Sequence, residues 1–240
     1  AEKEDFNFAE VDDLGKYETR TDAFDIHIQK ILDLPMVDVE AVKAKKFKVV
    51  LDAVNSTGGI SLPPLLEKLG CEVVKLYCEP NGLVRESPVR LKEHWTGICD
   101  LIKKEGADVG IVVDPDVDRL ALIDENGEMF GEEYTLVAVA DYLLRHKKGV
   151  AVSNLSSSRA LRDVARNLDS EYFASAVGEV NVVTLMKEKN AVIGGDGTGG
   201  IIYPDLHYGR DSLVGVALFL THLAKENKSV SELRATYPAY

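Results

Sequence analysis

Cysteine is scarce in this sequence, with three residues among 240, and no two of them have the close paired spacing of a zinc site. Cys71, Cys78 and Cys99 are also an odd number, so the sequence is not that of a disulfide-stapled secreted domain. We therefore expect reduced thiols and a cytoplasmic location. Long apolar runs are missing too. The longest, L-V-G-V-A-L-F-L from Leu213, falls far short of the roughly 20 residues that a membrane-spanning helix needs.

Positive charge is the second shortage. Lys and Arg total 28 against 40 Asp and Glu, which gives a formal net charge of -12 at pH 7, and no basic stripe interrupts that balance. This composition argues against nucleic acid and anionic membrane surfaces as partners. A phosphorylated substrate would need a local arrangement of metal, arginine and backbone amides to overcome the negative field.

Several well-known catalytic motifs are absent. The sequence contains no Walker loop, no G-x-G-x-x-G fingerprint, no G-x-S-x-G elbow and no H-E-x-x-H pair. None of the five histidines lies in a ligand spacing, so each is expected to have a surface or core role. The N-terminal decapeptide is acidic without an apolar segment, which is not the pattern of a signal peptide. Because the chain begins without Met and stops without a tail, we expect a piece of a longer protein.

What the sequence does contain is an alternation of helix and strand patterns, with helical periodicity up to about Phe47. The order repeats: V-V-L-D-A-V-N-S matches V-A-V-S-N-L-S-S, and V-G-I-V-V-D-P-D matches A-V-I-G-G-D-G-T. We predict an α/β protein with two similar three-layer α/β/α domains, 1–128 and 129–240, whose mixed sheets are mainly parallel. The elements predicted for the first half after Phe47 include strands 48–53, 71–77, 109–113 and 120–124 and a helix over 94–106.

Three aspartates stand at alternate positions directly after the strand pattern V-G-I-V-V. In extended backbone Asp114, Asp116 and Asp118 share one face, and such crowded like charges raise one another's pKa unless a cation holds them ionised. The outer two would be about 13 Å apart in a straight strand, so the segment must curl, and Pro115 is placed to begin the curl. Carboxylate oxygens suit a hard cation, and we predict a Mg²⁺ site.

Two other interpretations of this segment remain open. It is compatible with an acidic turn that faces solvent and binds nothing. The twelve residues from Asp114 to Glu125 also carry acids at positions 1, 3, 5 and 12 of a calcium loop, but Arg119 stands where that loop needs glycine, and the flanks are strand-like. Arg119 suits a bound phosphate as a planar bidentate donor, and it also suits an ion pair with a neighbouring aspartate.

Two loops in the second half carry further candidate ligands. The stretch I-G-G-D-G-T-G-G-I places Asp196 and Thr198 among glycines, where they could bind the hydroxyls of a polyol, although an ordinary hairpin turn has the same composition. The stretch V-G-E-V-N places Gly178 and Glu179 between a strand and a helix, which fits a ligand contact or plain helix-start chemistry. The segment D-P-D-V-D-R, called the aspartate loop below, and the segment G-D-G-T-G-G, called the glycine loop, both follow predicted strand ends, where ligands of parallel sheets bind.

The motif D-P-D-V-D-R resembles the D-G-D-G-D-R magnesium loop of the α-D-phosphohexomutases, which include phosphoglucomutase, phosphomannomutase and phosphoglucosamine mutase. G-D-G-T-G-G is similar to their sugar-specificity loop, usually G-E-M-S-G-H or G-E-x-x-G-G, and V-G-E-V-N-V and Y-G-R-D-S also fit. The resemblance covers nearly the whole chain and implies the second and third of four domains. It implies an enzyme that interconverts hexose 1- and 6-phosphates through a phosphoserine and a bisphosphate, with Mg²⁺ as cofactor.

The resemblance also implies what this chain lacks. No T-A-S-H-N-P-like serine loop and no R-P-S-G-T-E-P-like phosphate loop is present, so the nucleophile belongs to a missing first domain and the chain alone is expected to be inactive. The preferred hexose phosphate stays open, because Gly200 stands where many members have His. A non-catalytic module that binds a divalent metal or sugar, and a Mg²⁺-dependent phosphatase, remain alternatives. The implied roles are metal binding by Asp114, Asp116 and Asp118, a catalytic contact by Arg119, and substrate binding by Gly178, Glu179, Asp196 and Thr198.

Overall fold

The computed structural model describes residues 6–83 and 96–240. Residues 6–22 are exposed and contain a short 3-10 helix at Val11–Asp13, so the helical prediction for this stretch is wrong and holds only from Ala23 onward. The reason is that the stretch buries none of its side chains, and a short helix without packing is marginal in water. The first two positions of the helix predicted over 94–106 lie outside the described residues.

The first half of the chain contributes one four-stranded sheet and the helices around it. Its elements in chain order are α1 (Ala23–Leu32), α2 (Val39–Lys45), β1 (Lys48–Asp52), α3 (Gly58–Lys68), β2 (Glu72–Leu76), α4 (Thr96–Glu105), β3 (Val109–Val113) and β4 (Leu120–Ile123). The strand order is β2-β1-β3-β4, in which β1 pairs in parallel with β2 and β3. β4 is antiparallel to β3 because only the short aspartate loop joins them.

Helices cover both faces of this sheet, which explains why β3 is apolar throughout. On one face, α4 inserts Ile98 and Ile102 against Val50 and Val112. On the other face, Val49 and Leu51 belong to a core cluster that includes residues of α1, α2 and α3. The sheet is therefore a buried layer whose loops, rather than its faces, are open to ligands.

The second half repeats this plan. Its elements are α5 (Glu132–His146), β5 (Val150–Asn154), α6 (Ala160–Asn167), β6 (Glu171–Ser175), α7 (Glu179–Lys189), β7 (Ile193–Gly195), β8 (Ile201–Ile202), α8 (Ser212–Glu226) and α9 (Val230–Arg234). The strand order β6-β5-β7-β8 matches that of the first sheet, again with one antiparallel strand at the end. The predicted fold class and its internal repeat are confirmed.

The long helix α8 joins the two halves. All its residues from Ser212 to Ala224 are buried, and it contacts α1, α2 and α3 of the first half together with α5 and β8 of the second. The apolar run that begins at Leu213 is therefore a helix surrounded by protein. Within residues 6–83 and 96–240, no helix combines the length and the apolarity needed to cross a bilayer.

Candidate functional site

The three aspartates lie together at the carboxyl end of β3, with one carboxylate oxygen from each within 4.8 Å of the others. The loop curls through Val117, whose φ is 61° and whose N–H donates to the Asp114 carbonyl at 3.1 Å. Asp114 is buried, and its Oδ1 accepts the N–H groups of Asp118 and Arg119, each at 3.1 Å. The calcium-loop alternative is wrong, because antiparallel strands rather than helices flank the loop.

The surroundings of Asp118 shift the ionisation of its carboxyl group. Burial raises the pKa of its carboxyl group to about 6, Arg210 acts in the opposite direction, and the nearby charge of Asp114 raises the pKa further. Its Oδ1 atom is buried and accepts no hydrogen bond from the described residues. The Nε atom of Arg119 lies 3.5 Å from Asp114 Oδ2 and 3.6 Å from Asp118 Oδ1, as an ion pair. A buried anionic oxygen without a donor beside two more carboxylates fits a hard divalent cation.

Contacts from two other parts of the chain hold the aspartate loop. The hydroxyls of Ser56 and Thr57, in the loop after β1, both donate to the Pro115 carbonyl at 2.7 Å. The Ser212 N–H, at the start of α8, donates to the carbonyl of Val117 at 3.0 Å. The loop geometry therefore depends on both halves of the molecule.

The glycine loop between β7 and β8 lies beside the aspartate loop. The Leu120 N–H donates to the Gly199 carbonyl at 3.2 Å, which joins the two loops directly. Within the glycine loop, Asp196 Oδ1 accepts the Thr198 N–H, the Thr198 hydroxyl and the Gly200 N–H at 2.8 to 3.1 Å. The Asp196 and Thr198 side chains thus bond to each other as well as lying at the candidate site.

The loop before α7 reaches the same place. Gly178 precedes the helix with φ 118°, and Glu179 is the first helical residue. Glu179 Oε1 accepts the backbone N–H of Arg210 at 3.2 Å, and Glu179 Oε2 lies 3.3 Å from Arg210 Nε. The structure therefore brings all the predicted candidate residues to one region.

Arg210 is the residue that the sequence argument missed as a separate candidate. Its Nη1 donates to Asp196 Oδ2 at 2.8 Å, and its Nη2 donates to Asp118 Oδ2. The only signal in the sequence was its position in Y-G-R-D-S. Nothing local predicts that this guanidinium contacts the aspartate loop.

Comparisons with known proteins match both halves of this chain. The family model described as "Phosphoglucomutase/phosphomannomutase, alpha/beta/alpha domain II" matches residues 25–127, and the model for domain III of the same family matches residues 131–240. The chain belongs to the phosphoglucomutase/phosphomannomutase family. The resemblance seen in the motifs is confirmed.

Several named relatives and solved structures are similar to this family member. A phosphoglucomutase/phosphomannomutase of Thermococcus kodakarensis is 35% identical over 99% of this chain and 52% of its own length. A family protein from Burkholderia thailandensis has a structure that matches 84% of this chain and 46% of its own, with 25% identity and a TM-score of 0.74. The Aspergillus fumigatus N-acetylphosphoglucosamine mutase, in complex with GlcNAc-6P and magnesium, matches 89% and 48% with 15% identity and a TM-score of 0.59. The chain spans about half the length of the curated relatives it matches.

Beside the aspartate loop, this family member holds a second polar cluster. Asp211 caps α8 through Oδ1, which accepts the N–H groups of Leu213 and Val214. Its Oδ2 is 2.7 Å from His27 Nε2 and 3.0 Å from His207 Nε2. These side chains, together with Arg210 and Asp116, border a cavity of about 270 Å³.

Two histidines and a carboxylate are common metal ligands, but the hydrogen bonds of this cluster favour a different role. The Gly209 N–H donates to His207 Nδ1 at 2.9 Å, so the neutral ring carries its proton on Nε2, the atom that a metal would need. That proton is donated to Asp211. The cluster is therefore a buried carboxylate held by imidazole donors, and the default expectation of plain surface or core histidines misses this contact.

We expect this cluster to make folding stability depend on pH. The hydrogen bond from His27 to Asp211 raises the pKa of His27 above its ordinary value, against the opposing effect of burial. Burial alone would raise the pKa of Asp211, but the hydrogen bonds from His207 and His27 hold that pKa well below its usual range. The stability from His27 is then fully present below its unfolded pKa of about 6.5 and is lost as pH rises through the folded pKa.

The test is urea unfolding of the wild type and His27→Gln at pH 6 and pH 9. We expect the free energy of unfolding of the wild type to exceed that of the variant at pH 6 by a margin up to about 1 kcal/mol larger than at pH 9. Subtracting the two proteins cancels the opposite contribution of His222, whose pKa burial lowers. Parallel pH profiles for the two proteins would show that His27 does not respond to Asp211.

Proposed function

We propose that this chain is the central part of a hexose phosphate mutase, comprising domains 1–128 and 129–240. In the full-length protein a phosphoserine outside this chain would exchange its phosphoryl group with a hexose phosphate, and a bisphosphate would connect the 1- and 6-phosphates. The observation that carries the proposal is the meeting of the aspartate, glycine and Glu179 loops around Arg210 at one region of the molecule. The names of the relatives and the bound ligands of the Aspergillus fumigatus mutase support it.

For the metal site we propose Mg²⁺ bound by Asp114, Asp116 and Asp118. A bound cation of this kind would neutralise charge on a transferring phosphoryl group. Asp114 has a second task, because its Oδ1 bonds to the backbone of the loop and keeps the curl. Arg119 would contact the phosphate, since its side chain is 38% exposed and already lies beside two of the carboxylates.

For the substrate we propose contacts from the two loops of the second half. Gly178 is exposed and gives a ligand access to the backbone, and Glu179 offers carboxylate oxygens for sugar hydroxyls. Asp196 uses Oδ1 for the N–H groups of its own loop, so its contribution includes shaping the loop that presents Thr198. We also propose a cytoplasmic location, which three free cysteines support.

The decisive experiment uses the full-length parent protein. Phosphorus NMR should show hexose 1-phosphate turning into 6-phosphate when a trace of the matching bisphosphate and Mg²⁺ are present. Chelation of the metal should stop the reaction, and the phosphorylated residue should be serine. Release of inorganic phosphate with a phosphorylated aspartate would instead show a phosphatase. No turnover of glucose, mannose or glucosamine phosphates would favour a non-catalytic binding module.

A further inference from the structure

Arg210 is the one cation shared by the three loops of the site in the described part of the chain. It faces carboxylates from both halves, namely Asp118, Asp196 and Glu179, and its side chain is only 16% exposed. Its positive charge faces three negative charges, and the first of these, Asp118, also lies 3.6 Å from Arg119 Nε. Asp114 and Asp116 are close to it as well. A guanidinium that is paired with an aspartate of a cation site competes with the cation for that carboxylate.

The glycine loop is shaped to accept this side chain. A Cβ atom at Gly200 would overlap Cδ of Arg210 and would lie 3.1 Å from Asp196 Oδ1. A side chain at position 200 would require Arg210 to shift, so the lack of a Cβ at Gly200 leaves room for the observed placement of this arginine.

A cavity next to Arg210 offers space for a second position of its guanidinium. The cavity of about 270 Å³ beside the aspartate loop is bordered by Arg210 and by Asp116, Thr57 and His207. The Nε atom of Arg210 is buried and makes no hydrogen bond in the described residues, at 3.3 Å from Glu179 Oε2. The guanidinium is therefore paired by charge but incompletely bonded.

We propose that Arg210 acts as the internal counter-ion of the aspartate site. Without a divalent cation it holds Asp118 against the loops of the second half. When a cation is bound, Arg210 releases Asp118, and its guanidinium is free to bind an anionic group in the cavity. The substrate's identity rests on the proposed function, whereas the exchange at Asp118 does not.

The first test measures Mn²⁺ affinity of the 240-residue chain at pH 8 by electron paramagnetic resonance. Because Arg210→Gln removes the competing charge, we expect this variant to bind Mn²⁺ about tenfold more tightly than the wild type. Arg210→Lys keeps a charge and should stay within about threefold. The matched control is Arg162→Gln, which removes a surface arginine paired with its neighbour Asp163 and should leave the affinity unchanged. Unchanged or weaker binding by Arg210→Gln would overturn the proposal.

A measurement on the wild type covers the case in which Arg210→Gln does not fold. The Nε–Hε NMR signal of Arg210, assigned by its loss in Arg210→Lys, should shift when Mg²⁺ saturates the chain. A signal that does not move would overturn the exchange.

In the full-length protein, Arg210→Gln should raise KM for the hexose phosphate about tenfold or more, since a charged donor to the substrate is lost. An unchanged KM would overturn the substrate contact. Absence of any mutase activity would count against the proposed function, and the Mn²⁺ affinities would still decide the exchange.

Discussion

Replacing Asp116 with Asn is expected to lower the turnover of the full-length protein by about 100-fold or more, as loss of one preorganised electrostatic group does in other active sites. Asp116 is the exposed member of the trio, and in the described residues its side chain accepts no hydrogen bond. Its replacement should therefore cost folding little, within about 0.5 kcal/mol. Asp114 could not serve for this test, because its carboxylate also holds the backbone of the loop.

The measurements are kcat with saturating Mg²⁺, Mn²⁺ affinity and the melting temperature, each on the wild type and on Asp116→Asn. The matched control is Asp100→Asn, which makes the same chemical change at an exposed position on α4. We expect the control to keep full activity. If the melting temperature of Asp116→Asn fell in step with its activity, the aspartate would have a structural role and the metal assignment would lose its main support.

The largest expected effect on stability comes from Gly199→Ala. Gly199 has φ 85°, a conformation that costs an L-residue about 1–2 kcal/mol. An added Cβ would also overlap the Leu120 carbonyl oxygen and lie 3.0 Å from the carbonyl carbon. Since both partners are backbone, relief requires the two loops to separate, which breaks the bond from the Leu120 N–H to the Gly199 carbonyl. We expect a loss of about 3 kcal/mol or more in the free energy of unfolding.

Thermal and urea unfolding of the chain check this expectation. The matched control is Gly97→Ala on α4, where no described atom lies within 4 Å of the added Cβ and φ is not in the left-handed region. That substitution should leave stability unchanged or raise it by about 0.5–1 kcal/mol. Equal unfolding curves for the two variants would mean that the glycine loop moves away from Leu120 without cost, and that the contact between the halves is weak.

Periodicity and turn chemistry predicted much of the fold. The buried strand V-G-I-V-V, the returning strand and the repeat of the whole unit all follow from local patterns, and the structure has each of them. Gly70 has φ 76° after α3, the left-handed conformation typical of a glycine that follows a helix. The prediction failed for residues 6–22, where a helical pattern is present but no described partner buries it. The long helix α8 was seen only as an apolar run, because a helix buried on all sides has no polar face to mark its period.

By itself, the sequence determined the chemistry that local spacing controls. Three aspartates two apart after a buried strand must curl to meet, and the glycines of the next loop permit close approach. Only the tertiary structure decided that Arg210, 92 residues away, contacts Asp118, and that His27 reaches Asp211 across 184 residues. The physical reason is that burial and charge act through space. The pKa of Asp118 and the cation beside it depend on how α8 packs both halves together, which no stretch of sequence around the aspartates records.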